Sequence, residues 1–449
     1  MKLKELNAMI RGDARLRLLL FSGLLIQIII CISAVGVYHP DQYFQIIEFS
    51  SYQLNKASAA GRVWEFAAHL RPTIQVYLFS AYYEVCAGLG ILDPYVQLGL
   101  LRVIFGLILF VFFNGVTLYY FRQERRPILY IVLFILNFSW ILPYTRTLFS
   151  SEMLSSLLFF GALFGYEAKR KGGEGPDGGT VGPSPRWALL IGFLFSMAFY
   201  ARFQTGFAIA GFLVWMLLSG RDRRRIIPLG IGFLAGVALN TALDSIFYHQ
   251  VVFTPYIYYR INIIEGKAAS MGTSSFLVYI GVLAAVILTP PLSIFLLWAG
   301  FRTALWKRWN HPLVASVLAF IIGHCLVAHK EERFLFPVLN VLPIFVGWGL
   351  PGLIDWWRRR RAGLRALLKG MAFFSIGLNG LLLIVLLFTP YSQAIYFTWL
   401  LKQHFGGRQA TIYSLDHTPF VTGERLPFVF YQKGVRNLQW EKVPVNDSL

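Results

Sequence analysis

The chain has 449 residues, of which 56% are hydrophobic and only 14% charged, with a formal net charge of +19. Soluble proteins carry about 25% charged residues. Here apolar runs of roughly eighteen residues or more, each long enough to cross about 30 Å of hydrocarbon as a helix, recur along the chain. That excludes an ordinary soluble enzyme and indicates a polytopic α-helical membrane protein. The cations sit in short clusters between apolar runs, as cytoplasmic loops require, so no nucleic-acid partner is expected. Cys31, Cys86 and Cys325 lie far apart in apolar or amphipathic stretches and form neither a disulfide framework nor a zinc spacing.

Residues 1–17 are too polar for a signal-peptide core. Their cations, Lys2, Lys4, Arg11, Arg15 and Arg17, place the amino terminus on the cytoplasmic side. A first span over 18–37 runs outward into a long amphipathic loop, 38–97. After Pro40, polar Gln45, Glu48, Tyr52 and Lys56 recur at helical spacing, with Tyr43, Ile46, Ile47, Ser50 and Leu54 on the other side. That pattern predicts a helix lying in the interface. Residues 73–91 are assigned to a second interfacial helix, because a span there would put Arg122, Arg125 and Arg126 outside. Spans follow over 98–120, 127–142 and 150–167, the last ending at Lys169-Arg170-Lys171. Gly172 to Pro185 is a flexible inner linker, rich in Gly and Pro. One span runs from Trp187 to Arg202, and the next returns to Arg221, Arg223, Arg224 and Arg225. The last spans cover 226–244, 275–299, 312–328, 334–352 and 371–389, with Arg302, Lys307, Arg308 and Arg358 to Arg361 at inner ends.

The expected architecture is an all-α bundle of about 11 transmembrane helices over residues 1–390, with interfacial helices in the first outer loop. A small outer domain follows over 391–449. There Thr411 to Leu415 and Pro427 to Tyr431 alternate on either side of Thr422-Gly423-Glu424, which predicts β structure.

The threading gathers ionisable residues on the outer side. Asp41 opens the first outer loop. Arg146 and Glu152 flank the start of the 150–167 span, and Arg202 lies between the next two. His329-Lys330-Glu331-Glu332-Arg333 follows the 312–328 span. Asp41 suits a general base, or a group that orients a hydroxyl. It is equally what a helix start after proline selects. The run 329–333 suits either a snorkelling interfacial anchor or a phosphate site. Arg146 and Arg202 suit anchors or anion contacts. Tyr256, Tyr258 and Tyr259 suit an aromatic belt or a sugar platform. The sequence has no Walker A, no H-E-x-x-H and no strand-borne G-x-G-x-x-G, so nucleotide binding has no support.

His39-Pro40-Asp41-Gln42 resembles the H-P-D-E signature of the polyprenol-linked mannosyltransferases, glycosyltransferase family 22. His329 to Phe334, with Pro337, resembles that family's H-K-E-x-R-F motif. Thr145-Arg146-Thr147 with Glu152 resembles its T-R-T…E segment. Arg202 with Thr205 resembles R-P-T, with Phe203 and Gln204 where proline alone is expected. His417-Thr418-Pro419 is a loose echo of a C-terminal His-Ser-Thr-Pro stretch. Gln42 stands where the family carries a second acid.

The resemblance covers most of the chain and implies a GT-C fold. It implies inverting transfer of a mannose-type sugar from a polyprenyl-phosphate donor, commonly dolichyl-phosphate mannose. The acceptor would be a hydroxyl of a glycan or glycolipid on the non-cytoplasmic face, periplasmic or luminal. Asp41 would be catalytic. His39, Arg146, Glu152, Arg202, His329, Lys330, Glu332 and Arg333 would contact the donor phosphate or substrate. The leaving phosphate is already a stable anion, so no metal or other cofactor is obligatory. The compact chain and Gly-rich inner linker favour a bacterial inner membrane over the endoplasmic reticulum, and the sequon Asn446-Asp447-Ser448 does not decide between them. The rival class is a multi-span transporter or flippase of a lipid-linked or sugar substrate. Few charges within the spans and no internal repeat speak against it.

Overall fold

Short polar caps and prolines punctuate the apolar runs. In the computed structural model, which describes residues 3–54, 63–172, 183–220, 222–414, 418–420 and 428–442, Asp13 caps the Ala14–Ser33 helix by accepting from the Leu16 N–H at 3.0 Å. Asp93 then Pro94, Ser184 then Pro185, and His311 then Pro312 open three more helices in the same way.

Four helices among the described residues are long and apolar enough to cross a membrane: Ala14–Ser33, Pro94–Phe121, Asp222–Tyr248 and Ala362–Leu387. Glu332–Leu339 and Leu342–Arg358 qualify together, as a pair bent by 65°. Other predicted spans appear as shorter apolar helices, Arg126–Phe138, Pro185–Ala201, Phe203–Leu218, Leu277–Val286 and Pro312–Leu326. Length and composition therefore give four or five full spans and do not establish the count of about 11. Helix breaks account for much of the difference. The predicted 275–299 span divides into Leu277–Val286 and Leu292–Lys307 around Pro290-Pro291, where neither proline has an N–H to continue the ladder.

The helix expected after Pro40 forms as a short α turn, a π turn over Tyr43–Glu48 and an α segment over Phe49–Gln53. The tail covers it. Tyr43 stacks on Tyr431 at 6.1 Å and meets Phe428 edge-on at 4.8 Å. Its hydroxyl accepts from the Phe430 N–H at 2.7 Å. Glu48, on the expected polar face, is consequently buried. Aromatic residues of the loop, the Ile74–Gly88 helix and the tail make a second core beside that of the bundle.

In the tail, Ala410–Ser414 forms a strand as its alternation suggests. Its partner is Leu438–Lys442, paired in parallel. The other alternating stretch becomes the Val429–Gln432 helix, because Phe430 and Tyr431 both insert into the second core. The turn at Thr422-Gly423-Glu424, Lys56, Arg62, Arg221, His417, the sequon and most of the inner linker lie outside the described residues.

Two helices cross in backbone contact. A Cβ on Gly192 would lie 1.9 Å from the Leu229 carbonyl oxygen, and one on Gly232 would lie 1.9 Å from that of Leu189. A Cβ on Gly236 would stand 2.7 Å from Ser196. Small residues four apart on each helix permit this approach. The crossing fixes where the Pro185–Ala201 helix ends, immediately before Arg202. Gly192→Ala or Gly232→Ala should therefore lower the thermal unfolding midpoint of the purified protein, by the equivalent of about 1–3 kcal/mol. An unchanged midpoint would contradict the close crossing.

Candidate active site

The first outer loop is set by its exit from the bundle. Gly36 has φ +101, and a Cβ there would stand 2.7 Å from the Ser392 side chain. Only glycine suits both demands. The Ser392 N–H donates to the Val35 carbonyl at 3.2 Å, tying the tail to this exit. His39 then caps the next turn, its Nδ1 accepting from the Asp41 N–H at 3.2 Å. Gln42 cross-links the loop: its Nε2 donates to the Phe149 carbonyl at 3.3 Å and its Oε1 accepts from the Tyr38 N–H at 3.3 Å. A carboxylate could not make the first bond. Gln42 thus performs a structural task where the family pattern has an acid.

The second half comes from the break before the bent pair. Arg333 lies in the short 3-10 turn Glu332–Leu335 and joins three carboxylates. Its Nη2 donates to Asp41 Oδ2 at 2.7 Å, its Nε donates to Glu331, and its Nη1 lies 3.6 Å from Glu152. Glu152, in the first turn of the Ser151–Gly172 helix, accepts from Arg202 Nη1 at 2.7 Å. Arg202 packs over the Phe334 ring at 4.8 Å. His329 Nε2 and Glu331 are 2.9 Å apart, and His39 Nε2 lies 3.6 Å from the same carboxylate. Residues nearly 300 apart in the chain, Asp41 and Arg333, thus share one ion pair.

Electrostatics follow from this sharing. Burial raises the Asp41 carboxyl, but Arg333, with Arg71 and His39, more than offsets it and brings the pKa to about 2. Glu331 is likewise lowered despite burial, chiefly by Arg333. Burial and the nearby Arg333 charge lower His39, which favours its neutral form.

Asp41, Arg202, His329, Glu331 and Arg333 line one cavity of about 290 Å³. Gln45, Arg71, Gln204 and Tyr258 add polar groups to its wall, and Phe199, Phe207, Ile263, Met271 and Val327 add apolar ones. Arg202 is buried, and among the described residues its Nε and Nη2 have no hydrogen-bond partner. Arg71 pairs with Glu65 through Nη2 and leaves its buried Nε without one. Buried donors on a cavity wall are costly unless a ligand satisfies them.

The remaining expected residues stand elsewhere. Arg146 is fully buried behind the cluster, bonded to Gln27 at 2.9 Å, the Leu136 carbonyl at 3.0 Å and Asn340 at 3.4 Å. It braces the bent pair. Lys330 caps the end of the Pro312–Leu326 helix through the Val327 carbonyl. Glu332 accepts from the Tyr38 hydroxyl at 2.8 Å, and His39 contacts the cluster without lining the cavity. Tyr258 and Tyr259 line the cavity and Tyr256 does not, although Tyr256 and Tyr259 are both exposed. Arg71 belongs to no motif, and Gln204 lies in the Arg202–Thr205 segment, where it departs from the family pattern. The one available signal for Arg71 was a cation on the side the charge rule disfavours. Among the described residues no group of three His, Cys, Asp or Glu side chains is arranged as metal ligands.

Residues 19–410 match the Alg9-like mannosyltransferase family. The chain belongs to that family. Human GPI alpha-1,2-mannosyltransferase 3 is 24% identical over 362 residues, covering 79% of this chain and 61% of the relative. The Xenopus laevis protein of that name is 23% identical over 332 residues, covering 73% and 58%. The chain thus spans about 60% of the length of these Alg9-like relatives. Among solved structures, ArnT from Cupriavidus metallidurans bound to undecaprenyl phosphate superposes with a TM-score of 0.56 at 14% identity, covering 96% of this chain and 86% of ArnT. That likeness shows a shared fold, the GT-C membrane architecture.

In this Alg9-like site one guanidinium separates three carboxylates. Arg333→Met should destabilise the protein by about 1.5–3 kcal/mol, because it takes the shared cation from half-buried Asp41 and Glu331 and leaves Glu152 with Arg202 alone. Adding Asp41→Asn and Glu331→Gln should recover part of that loss in thermal unfolding. Additive losses in the triple variant would contradict the shared-guanidinium account.

Proposed function

We infer that the protein transfers a mannose-type sugar from a polyprenyl-phosphate donor to a hydroxyl of a glycan or glycolipid. The observation that carries this is the mixed lining of the cavity, which brings arginines and Asp41 together with phenylalanines, Ile263 and Met271. A prenyl phosphate has the same mixed character in one molecule, a charged head on a hydrocarbon chain. Family membership and the undecaprenyl phosphate bound to ArnT support the same donor class.

The donor phosphate would occupy Arg202, Arg71 and Arg333, whose guanidinium donors suit phosphoryl oxygens. The sugar would then lie between that phosphate and Asp41. The acceptor oxygen would attack the anomeric carbon as the carbon–phosphate oxygen bond breaks, with inversion. Asp41 would take the hydroxyl proton, and the phosphate would leave as an anion already stabilised by arginine, so this step calls for no metal. At a pKa of about 2, Asp41 is a weak base while Arg333 holds it. Phosphate competing for Arg333 would loosen that pair and raise its basicity. Arginine clusters such as Arg223 to Arg225 and Arg358 to Arg361 at other helix ends favour the non-cytoplasmic face for this chemistry.

With purified protein, a panel of prenyl-phosphate sugars and glycolipid acceptors should yield a mannosylated product. Asp41→Asn should cut kcat at least about 10²-fold with folding intact. Arg202→Gln should raise the donor KM about tenfold. Because the Asp41 pKa is lowered, the free enzyme keeps it ionised well below neutral pH. kcat/KM should therefore show no acid limb from Asp41 above about pH 3. An active Asp41→Asn enzyme, or substrate movement across liposomes without transfer, would overturn the assignment.

A further inference from the structure

Asp244 belongs to no motif. It is a fully buried carboxylate on the Asp222–Tyr248 span, and all three of its hydrogen-bond donors are neutral. A buried carboxylate without a cation is costly, so its contacts are informative. Its Oδ1 accepts from the Thr73 N–H at 2.8 Å and the Thr73 hydroxyl at 2.7 Å. Its Oδ2 accepts from the Thr254 hydroxyl at 2.6 Å. One turn later, the Tyr248 hydroxyl donates to the Arg71 carbonyl at 2.8 Å.

The end of this helix therefore grips two segments far apart in sequence. Thr73 follows by two residues Arg71, which lines the cavity. Thr254 begins the Thr254–Tyr259 helix, which supplies Pro255, Tyr258 and Tyr259 to the wall, and the next turn adds Ile263. A carboxylate suits this place because both oxygens accept at once, whereas an amide accepts through only one.

The geometry points to Asp244 as a positioning residue that ties the Arg71 side of the cavity wall to the side made by Pro255, Tyr258, Tyr259 and Ile263, and so sets the cavity's width between them. Its consequence for substrate rests on the donor class inferred above, whereas the clamp itself rests on the contacts. A long-chain phosphate needs both sides in register. A short-chain phosphate needs only the Arg71 side.

Thr254→Val removes one arm of the clamp and Thr254→Ser keeps it, without touching the ion cluster. In the purified full chain, hydrogen exchange over 254–264 should quicken in Thr254→Val and not in Thr254→Ser. Undecaprenyl phosphate should bind about tenfold more weakly to Thr254→Val, while citronellyl phosphate changes by less than about threefold. Asp244→Asn, which retains one acceptor, should fall between. Unchanged exchange in Thr254→Val would overturn the clamp. Equal weakening of both phosphates would also overturn it, since that marks a general loss of structure. Wild-type protein that binds neither phosphate would instead overturn the donor class, and the exchange comparison would still decide the clamp.

Discussion

The site depends on one guanidinium. Arg333 is 8% exposed and stands among Asp41, Glu331 and Glu152. Without it, three carboxylates would repel one another in a largely desolvated space, where charge interactions are least screened. With it, Asp41 is held ionised on the cavity wall. The same bond that positions Asp41 also weakens it as a base. In the proposed reaction an anionic donor would resolve that conflict, because its phosphate would compete for the guanidinium when a base is needed.

The scaffold serves this geometry. The bent pair delivers Arg333, and Arg146 braces the bend through Asn340, with neutral acceptors around it. The Gly192–Gly232 crossing sets the helix end that carries Arg202. Asp244 and Tyr248 fix the Arg71 segment from the opposite side. The tail closes the first outer loop with Phe428, Phe430 and Tyr431. Residues remote from the chemistry thus decide where four arginines stand.

Much of this was legible in the sequence. Composition gave the membrane class. The positive-inside rule brought Asp41 and 329–333 to one side before any fold was known, and their motifs then paired them. Arg146 was harder to place, since a lone cation between two apolar runs looks alike whether it faces a ligand or braces a helix bend. Asp244 carried no local signal, because Thr73 lies 171 residues away. The tail misled in part: alternation in 428–431 reflects aromatic side chains inserting at and beside the short Val429–Gln432 helix, not a strand. Span counting also met a physical limit, since Pro-broken and bent helices share apolar runs that hydropathy reads as continuous.

A structure of the protein with undecaprenyl phosphate bound in nanodiscs tests the central claim most directly. The phosphate should lie within hydrogen-bond distance of Arg202, Arg71 and Arg333, with the prenyl chain along Phe207, Ile263 and Met271 and the Asp41–Arg333 pair lengthened. Phosphate bound away from this cavity, or bound with Arg333 still closed on Asp41, would contradict the account.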